Sequence, residues 1–180
     1  MTAAQHLSIR VATEADLPAL RALMNRSIAE LQRGFLDSAQ VEASFDIMGL
    51  DTQLVADRTY FVVEAGDALA GCGGWSRRAT LFGGDHTAGR DAALLDPAKE
   101  AARIRAMYTS PDFTRRGVGR LIIETCEAAA AAEGFTRCEM AATLAGEPLY
   151  LSCGYEVIEP FDGVTSSGAR VPLKRMGKPI

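Results

Sequence analysis

Residues 102–134 read ARIRAMYTSPDFTRRGVGRLIIETCEAAAAAEG. The first eight alternate, with Ala102, Ile104, Ala106 and Tyr108 on one side and Arg103, Arg105, Met107 and Thr109 on the other, which is the period of a β-strand. Ser110-Pro111-Asp112-Phe113 breaks that strand, because proline has no N–H to give to a ladder. A helix is then expected from about Gly119 to Glu133, its alanine run 128–132 suited to close packing, with Gly134 as a left-handed C-terminal cap. Between strand and helix stands Thr114-Arg115-Arg116-Gly117-Val118-Gly119-Arg120.

Strand, glycine-bearing turn and helix start form an arrangement suited to an anion. The first N–H groups of a helix lack intrahelical acceptors, and the helix dipole adds partial positive charge beside them. Glycines at 117 and 119 are expected to let a phosphate approach the main chain, while Arg115, Arg116 and Arg120 add ionic attraction. The run is neither a P-loop, which needs Gly-Lys-Ser/Thr, nor the dinucleotide fingerprint, which needs a third glycine. Taken alone, two glycines one residue apart suit an ordinary tight turn equally well.

Working outward, Arg137–Thr143 reads as a strand, Gly146–Ser152 as a short helix and Tyr155–Glu159 as a further strand. Upstream, Ser8–Ala12 reads as a strand, and Thr13 with Asp16 signals a helix start. Leu17, Leu20, Met24, Ile28 and Leu31 then give that helix one apolar face through Gln32. A second helical region is expected from Ser38 to Met48, stopped by Gly49, with a further turn near Gln53–Ala56. Tyr60–Glu64 and Leu69–Trp75 flank a turn-forming Ala-Gly-Asp-Ala and read as an antiparallel hairpin, with the second strand extending toward Phe82. Gly83–Glu100 has no periodicity and reads as a long loop, with Asp85 and His86 either solvated or near an acceptor.

The order strand, long helix, strand, short helix, strand resembles the GCN5-related N-acetyltransferase (GNAT) family over about Ala102–Val157. Thr114-Arg115-Arg116-Gly117-Val118-Gly119 is similar to the family's signature of Gln or Arg, two residues, Gly, one residue, Gly or Ala. Tyr150-Leu151-Ser152-Cys153-Gly154-Tyr155 is similar to its Tyr, three residues, Gly, aromatic segment, and Pro111-Asp112-Phe113 to what precedes the glycine loop. Two positions depart from the pattern: Thr114 replaces Gln or Arg, and no Asn stands between Arg137 and Tyr150.

The resemblance implies an α/β (α+β) fold, a single domain over residues 1–180 with a mixed, mainly antiparallel central sheet flanked by helices. It implies acetyl-CoA as cosubstrate, with the main chain of Met107, Tyr108 and Thr109 pairing with the pantetheine arm and residues Arg115, Arg116, Gly117, Val118, Gly119 and Arg120 holding the pyrophosphate. It also implies an oxyanion contact from the N–H of Tyr108 or Met107, and Tyr150 as the general acid that protonates the departing thiolate. Glu139 is a candidate general base, or equally a cross-strand partner of Arg103 or Arg105. Trp75 is a candidate wall of the acceptor site, or core. The acceptor is an amine of a small molecule or peptide; the alternative is a non-catalytic acyl-CoA-binding or sensory module.

Composition narrows the remaining classes. A net charge of -4 and pI near 5.2 argue against a nucleic-acid partner and mildly favour a cationic acceptor. No apolar run is long enough for a membrane span, and Met1–Val11 lacks the pattern of an export signal, so a cytoplasmic location is expected. The four cysteines, Cys72, Cys126, Cys138 and Cys153, form no CxxC pair and sit in apolar segments, as reduced buried thiols do; no metal site is expected. A monomer and a homodimer fit the sequence equally well.

Overall fold

Alternation along one hairpin sets up both layers of the core. In the computed structural model, which describes residues 6–180, strand β2 (Tyr60–Ala65) turns at Gly66 into β3 (Ala68–Ser76). Tyr60 and Val62 face one apolar cluster and Val63 and Ala65 the other, since successive side chains leave a strand on opposite faces. One cluster is closed by helix α1 (Leu17–Leu31) and the short α3 (Thr52–Ala56), through Leu20, Met24, Ile28 and Leu54. The other is closed by α4 (Val118–Ala132), through Ile122, Ile123, Cys126 and Ala130. The helix α2 (Ser38–Ile47), capped by Asp37, whose side chain accepts from Gln40 N–H (2.8 Å), covers a third, smaller cluster with Val171 and Leu173.

With β1 (Leu7–Val11), β4 (Ala102–Thr109), β5 (Arg137–Thr143), β6 (Glu156–Val164) and β7 (Arg170–Pro179), the strands form one seven-stranded sheet in the order β1-β2-β3-β4-β5-β7-β6. Every neighbouring pair is antiparallel except β4 and β5. The short helix α5 (Glu147–Ser152) follows β5. This is the mixed, mainly antiparallel sheet flanked by helices that the resemblance implied.

Three features differ from the sequence reading. Strand β7 was not expected, because Pro172, Gly177, Pro179 and four cationic residues interrupt its apolar signal. It nevertheless runs between β5 and β6, burying Val171, Leu173 and Met176. Residues 83–100 are not a free loop: Arg78 bridges Leu94, Ala79 N–H meets Ala93 O (2.9 Å) and Leu95 N–H meets Arg77 O (2.8 Å), so the excursion folds back on the extension of β3. Asp85 and His86 fasten its tip, the carboxylate accepting from Thr52 N–H (3.0 Å) and the ring Nε2 lying 2.7 Å from Phe45 O.

The third difference lies inside β4. Strict alternation puts Ala102, Ile104, Ala106 and Tyr108 on one face, yet Ala102 and Ile104 pack in the α4 cluster whereas Ala106 and Tyr108 pack in the α1 cluster. The cause is a β-bulge. Ala106 adopts φ 50°, the register with β3 shifts between Cys72 and Gly74, and Tyr60 Oη donates to Ala106 O (2.7 Å) to hold it. Residues after the bulge therefore exchange faces.

No helix among the described residues is long and apolar enough to cross a membrane, and no cluster of three or more His, Cys, Asp or Glu among them is placed to hold a metal. The reading of Met1–Val11 as lacking an export signal, and the span 1–180, reach into residues 1–5, outside the described residues.

Candidate active site

The parallel pair β4/β5 is joined at only two positions, Ala102 with Cys138 and Arg103 with Glu139. Beyond them the strands part, so Met107, Tyr108 and Thr109 have β3 on one side and no strand on the other. Main-chain donors and acceptors facing such an opening suit an extended ligand that adds a strand. Burial fixes the neighbouring Tyr108 ring, whose Oη accepts from Gly49 N–H (2.9 Å).

At one end of the opening lies the start of α4. Leu121 N–H is the first to find a main-chain acceptor, Gly117 O (3.0 Å), so the N–H groups of Val118, Gly119 and Arg120 have no hydrogen-bond acceptor among the described residues. Arg115 (φ 63°) and Gly117 (φ 84°) both adopt left-handed conformations, and alternating handedness of this kind turns successive N–H groups into an anion-binding concavity. The preceding turn is braced from α1: Arg26 makes two hydrogen bonds to Asp112, of 2.8 and 3.1 Å.

The two glycines differ in role. A side chain at Gly117 would meet open space, so its constraint is the positive φ. Gly119 is buried, and a Cβ there would collide with Leu149 of α5. Gly119 thus also has a packing role that the sequence did not reveal: it lets α4 and α5 approach each other. Gly117→Val is expected to weaken anion binding with a modest loss of stability, and Gly119→Val to cost about 1–3 kcal/mol of stability by overpacking. Trimming the opposing side chain in Gly119→Val/Leu149→Ala should recover part of that loss in a thermal melt; strictly additive losses would refute the packing account.

The arginines also divide. Arg115 lines the opening, Arg116 stacks over the Phe113 ring (5.2 Å), and both are exposed. Arg120 is engaged at the end of α5, where Nη2 donates to Ser152 O (3.2 Å) and Oγ (3.1 Å).

Two cavities occupy this region. The larger, about 620 Å³, runs from the start of α4 past Tyr108 to Ile28, Gln32 and Phe35 at the end of α1. The smaller, about 80 Å³, lies among Ile47, Phe82, Ile104, Met140 and Leu173. Met48, Met107, Tyr108, Thr143 and Tyr150 line both, so the cavities meet at β4 just past its bulge. Of these, sequence reasoning named Met107, Tyr108 and Tyr150. Met48, Thr143 and the α1 residues were missed, since no local pattern says which loop faces the opening.

Tyr150 reaches this junction from α5, its ring edge-on to Tyr155 with centroids 6.3 Å apart. Burial pushes its hydroxyl well above the usual tyrosine range, keeping the proton on the oxygen. Glu139 stands apart and lines neither cavity. Its carboxylate is held by Arg103 (3.1 Å) and Arg175 (3.4 Å), the kind of arginine pairing that the sequence offered as the alternative to a general base. Trp75 is core, edge-on to Phe135 at 6.0 Å, and not a wall of either cavity. Burial pushes the Cys72 and Cys138 thiols up to about 12, which removes them as nucleophiles near neutral pH.

A sequence profile described as an acetyltransferase (GNAT) domain matches residues 56–157, more than half of the chain. The chain belongs to the GNAT acetyltransferase family. Solved structures share the GNAT fold at low identity. A GCN5-related N-acetyltransferase of Rhodopseudomonas palustris superposes with a TM-score of 0.71 at 19% identity, over 96% of this chain and 95% of that one. The PaiA N-acetyltransferase of Thermoplasma acidophilum, solved with coenzyme A, gives 0.64 at 13% identity over 97% and 99%. The acetyltransferase yncA of Salmonella typhimurium, described as putative and solved with acetyl-CoA, gives 0.61 at 18% over 97% and 94%. No curated protein sequence matches the chain. In this GNAT chain the opening beside β4, the unpaired N–H groups of α4 and the Tyr150 hydroxyl therefore form the candidate active site.

Proposed function

We propose that this chain is an acetyl-CoA-dependent N-acetyltransferase acting on a primary amine of a small molecule or peptide. The observation that carries the proposal is the meeting of two cavities at Met107, Tyr108 and Tyr150, one of them reaching the unpaired N–H groups of α4. The residues fit coenzyme A. The N–H groups of Val118, Gly119 and Arg120 suit its pyrophosphate, with Arg115 at the rim, and the free edge at Met107–Thr109 suits the amide-bearing pantetheine arm. When bound, acetyl-CoA supplies an activated acyl carbon and a thiolate leaving group.

The chain's own groups then have three tasks. The main-chain N–H of Tyr108 or Met107, on the strand beside the opening, is the donor for negative charge developing on the acyl oxygen. Tyr150, kept protonated by burial, delivers the proton the thiolate needs, and its phenolate then takes up the proton that the attacking nitrogen releases as it becomes an amide. The walls of the smaller cavity hold the amine and exclude water, so that the amine rather than water attacks.

Coenzyme A is expected to bind and to raise the thermal midpoint, by about 2.7 kcal/mol of added stability at one hundred times its dissociation constant, with NAD and ATP doing much less. Calorimetric titration and thermal melts check this. Turnover is read as free thiol released from acetyl-CoA against a panel of amines. Clear NAD or ATP binding with none to coenzyme A would sink the proposal; coenzyme A binding without turnover on any amine would point to a sensory module.

A further inference from the structure

The smaller cavity limits which amine can react. Its side chains are largely aliphatic and aromatic, although polar atoms make up more of its open surface than apolar ones, and the one charged residue among them is Arg105. Three of the five N–H donors of that guanidinium are engaged: Nη2 donates to Asp51 Oδ2 (2.9 Å) and Gly83 O (2.6 Å), and Nη1 to Thr80 O (3.1 Å). Asp51 faces Arg105 and Arg90, not the cavity. An ammonium entering here would lose its hydration and find no carboxylate among the lining residues, both of which disfavour its charged form.

The second observation concerns proton removal. Among the described residues, no Asp, Glu or His lines either cavity, and Glu139 is tied to arginines elsewhere. With no side-chain base at hand, the amine must arrive neutral. At pH 7.5 about one third of an α-amino group is neutral, against about one thousandth of a lysine-like amine, from ordinary values near 7.8 and 10.4. Size adds a further limit, since a cavity of about 150 Å³ accommodates benzene. This one, at about 80 Å³, suits a short branched alkyl group.

We propose that the acceptor is a weakly basic primary amine on a small, uncharged, apolar body, and that polycationic amines and lysine side chains are poor substrates. This inference rests on the acetyltransferase reading above. It reverses the preference for cationic acceptors expected from net charge, because the cavity wall and not the distant surface meets the substrate.

The test uses the purified full chain with acetyl-CoA at pH 7.5, reading thiol release with valinamide, spermidine and Nα-acetyl-lysine amide. Valinamide is expected to exceed both others in kcat/KM by about 300-fold, the ratio of neutral fractions. Equal or better turnover of spermidine or the lysine derivative would overturn the inference while leaving the acetyltransferase reading intact. Absence of turnover with all three and with the wider amine panel, while acetyl-CoA still binds in calorimetry, would overturn both. Phe82→Ala widens the small cavity from the surface excursion. It should raise kcat/KM for phenylalaninamide relative to valinamide by about 10-fold, in the range a pocket discriminates by a few carbons. An unchanged ratio would remove this cavity from the acceptor site and overturn the size limit.

Discussion

Tyr150→Phe is expected to lower turnover by on the order of 100-fold while leaving acetyl-CoA affinity within about twofold of the parent. The ring stays in place because its contacts with Tyr155 and the α4 cluster do not involve the hydroxyl. What the variant loses is a proton donor at the junction of the two cavities, one that burial holds in its protonated form. Rapid-mixing measurement of thiol release, alongside calorimetric titration with acetyl-CoA, separates chemistry from binding. Parent-like turnover in a folded variant would remove Tyr150 from the mechanism. A lowered thermal midpoint with unchanged turnover would make it a packing residue.

Asp51→Ala should destabilise the fold by about 3–5 kcal/mol, the cost of leaving a buried cation without its partner. The side chains of Asp51 and Arg105 are 1% and 2% exposed, and Asp51 also accepts from Arg90 Nη2 (2.7 Å) and from Gln53 N–H at the start of α3 (3.1 Å). Burial, with the charge of Arg90, drives the Arg105 guanidinium downward, and Asp51 opposes that shift, so the cation depends on its partner. For a chain of this size the loss corresponds to a fall of roughly 10 °C in the thermal midpoint. Asp51→Ala/Arg105→Met, which removes the stranded charge, should be less destabilised than the sum of its parts. A single-variant loss below about 1 kcal/mol would show that Arg105 finds other partners. Because Arg105 also holds the carbonyls of Thr80 and Gly83, the single variant should raise KM for the amine through the loosened wall beside Phe82.

Glu139 shows why a charged side chain seen in the sequence is not thereby a free base: pairing in three dimensions, here with Arg103 and Arg175, decides which charges remain available. The glycine turn shows a subtler failure. Gly117 and Gly119 look equivalent in the chain, yet one satisfies a left-handed main chain and the other admits Leu149 from a helix thirty residues away in sequence.

Local periodicity by itself determined the strand and helix that frame the anion-binding turn, the hairpin upstream and the apolar face of α1, because each depends on backbone geometry and side-chain spacing within a few residues. The quoted motifs carried the family resemblance for the same reason. Tertiary structure alone decided that β7 enters between β5 and β6, and that Ala106 bulges so Tyr108 turns to the α1 side. It also brought Met48, Thr143 and Phe82 from three distant segments to the cavities that meet at Tyr150. Those outcomes arise from strand pairing and packing across long separations, where the partner's shape, and no signal in the segment itself, sets the arrangement.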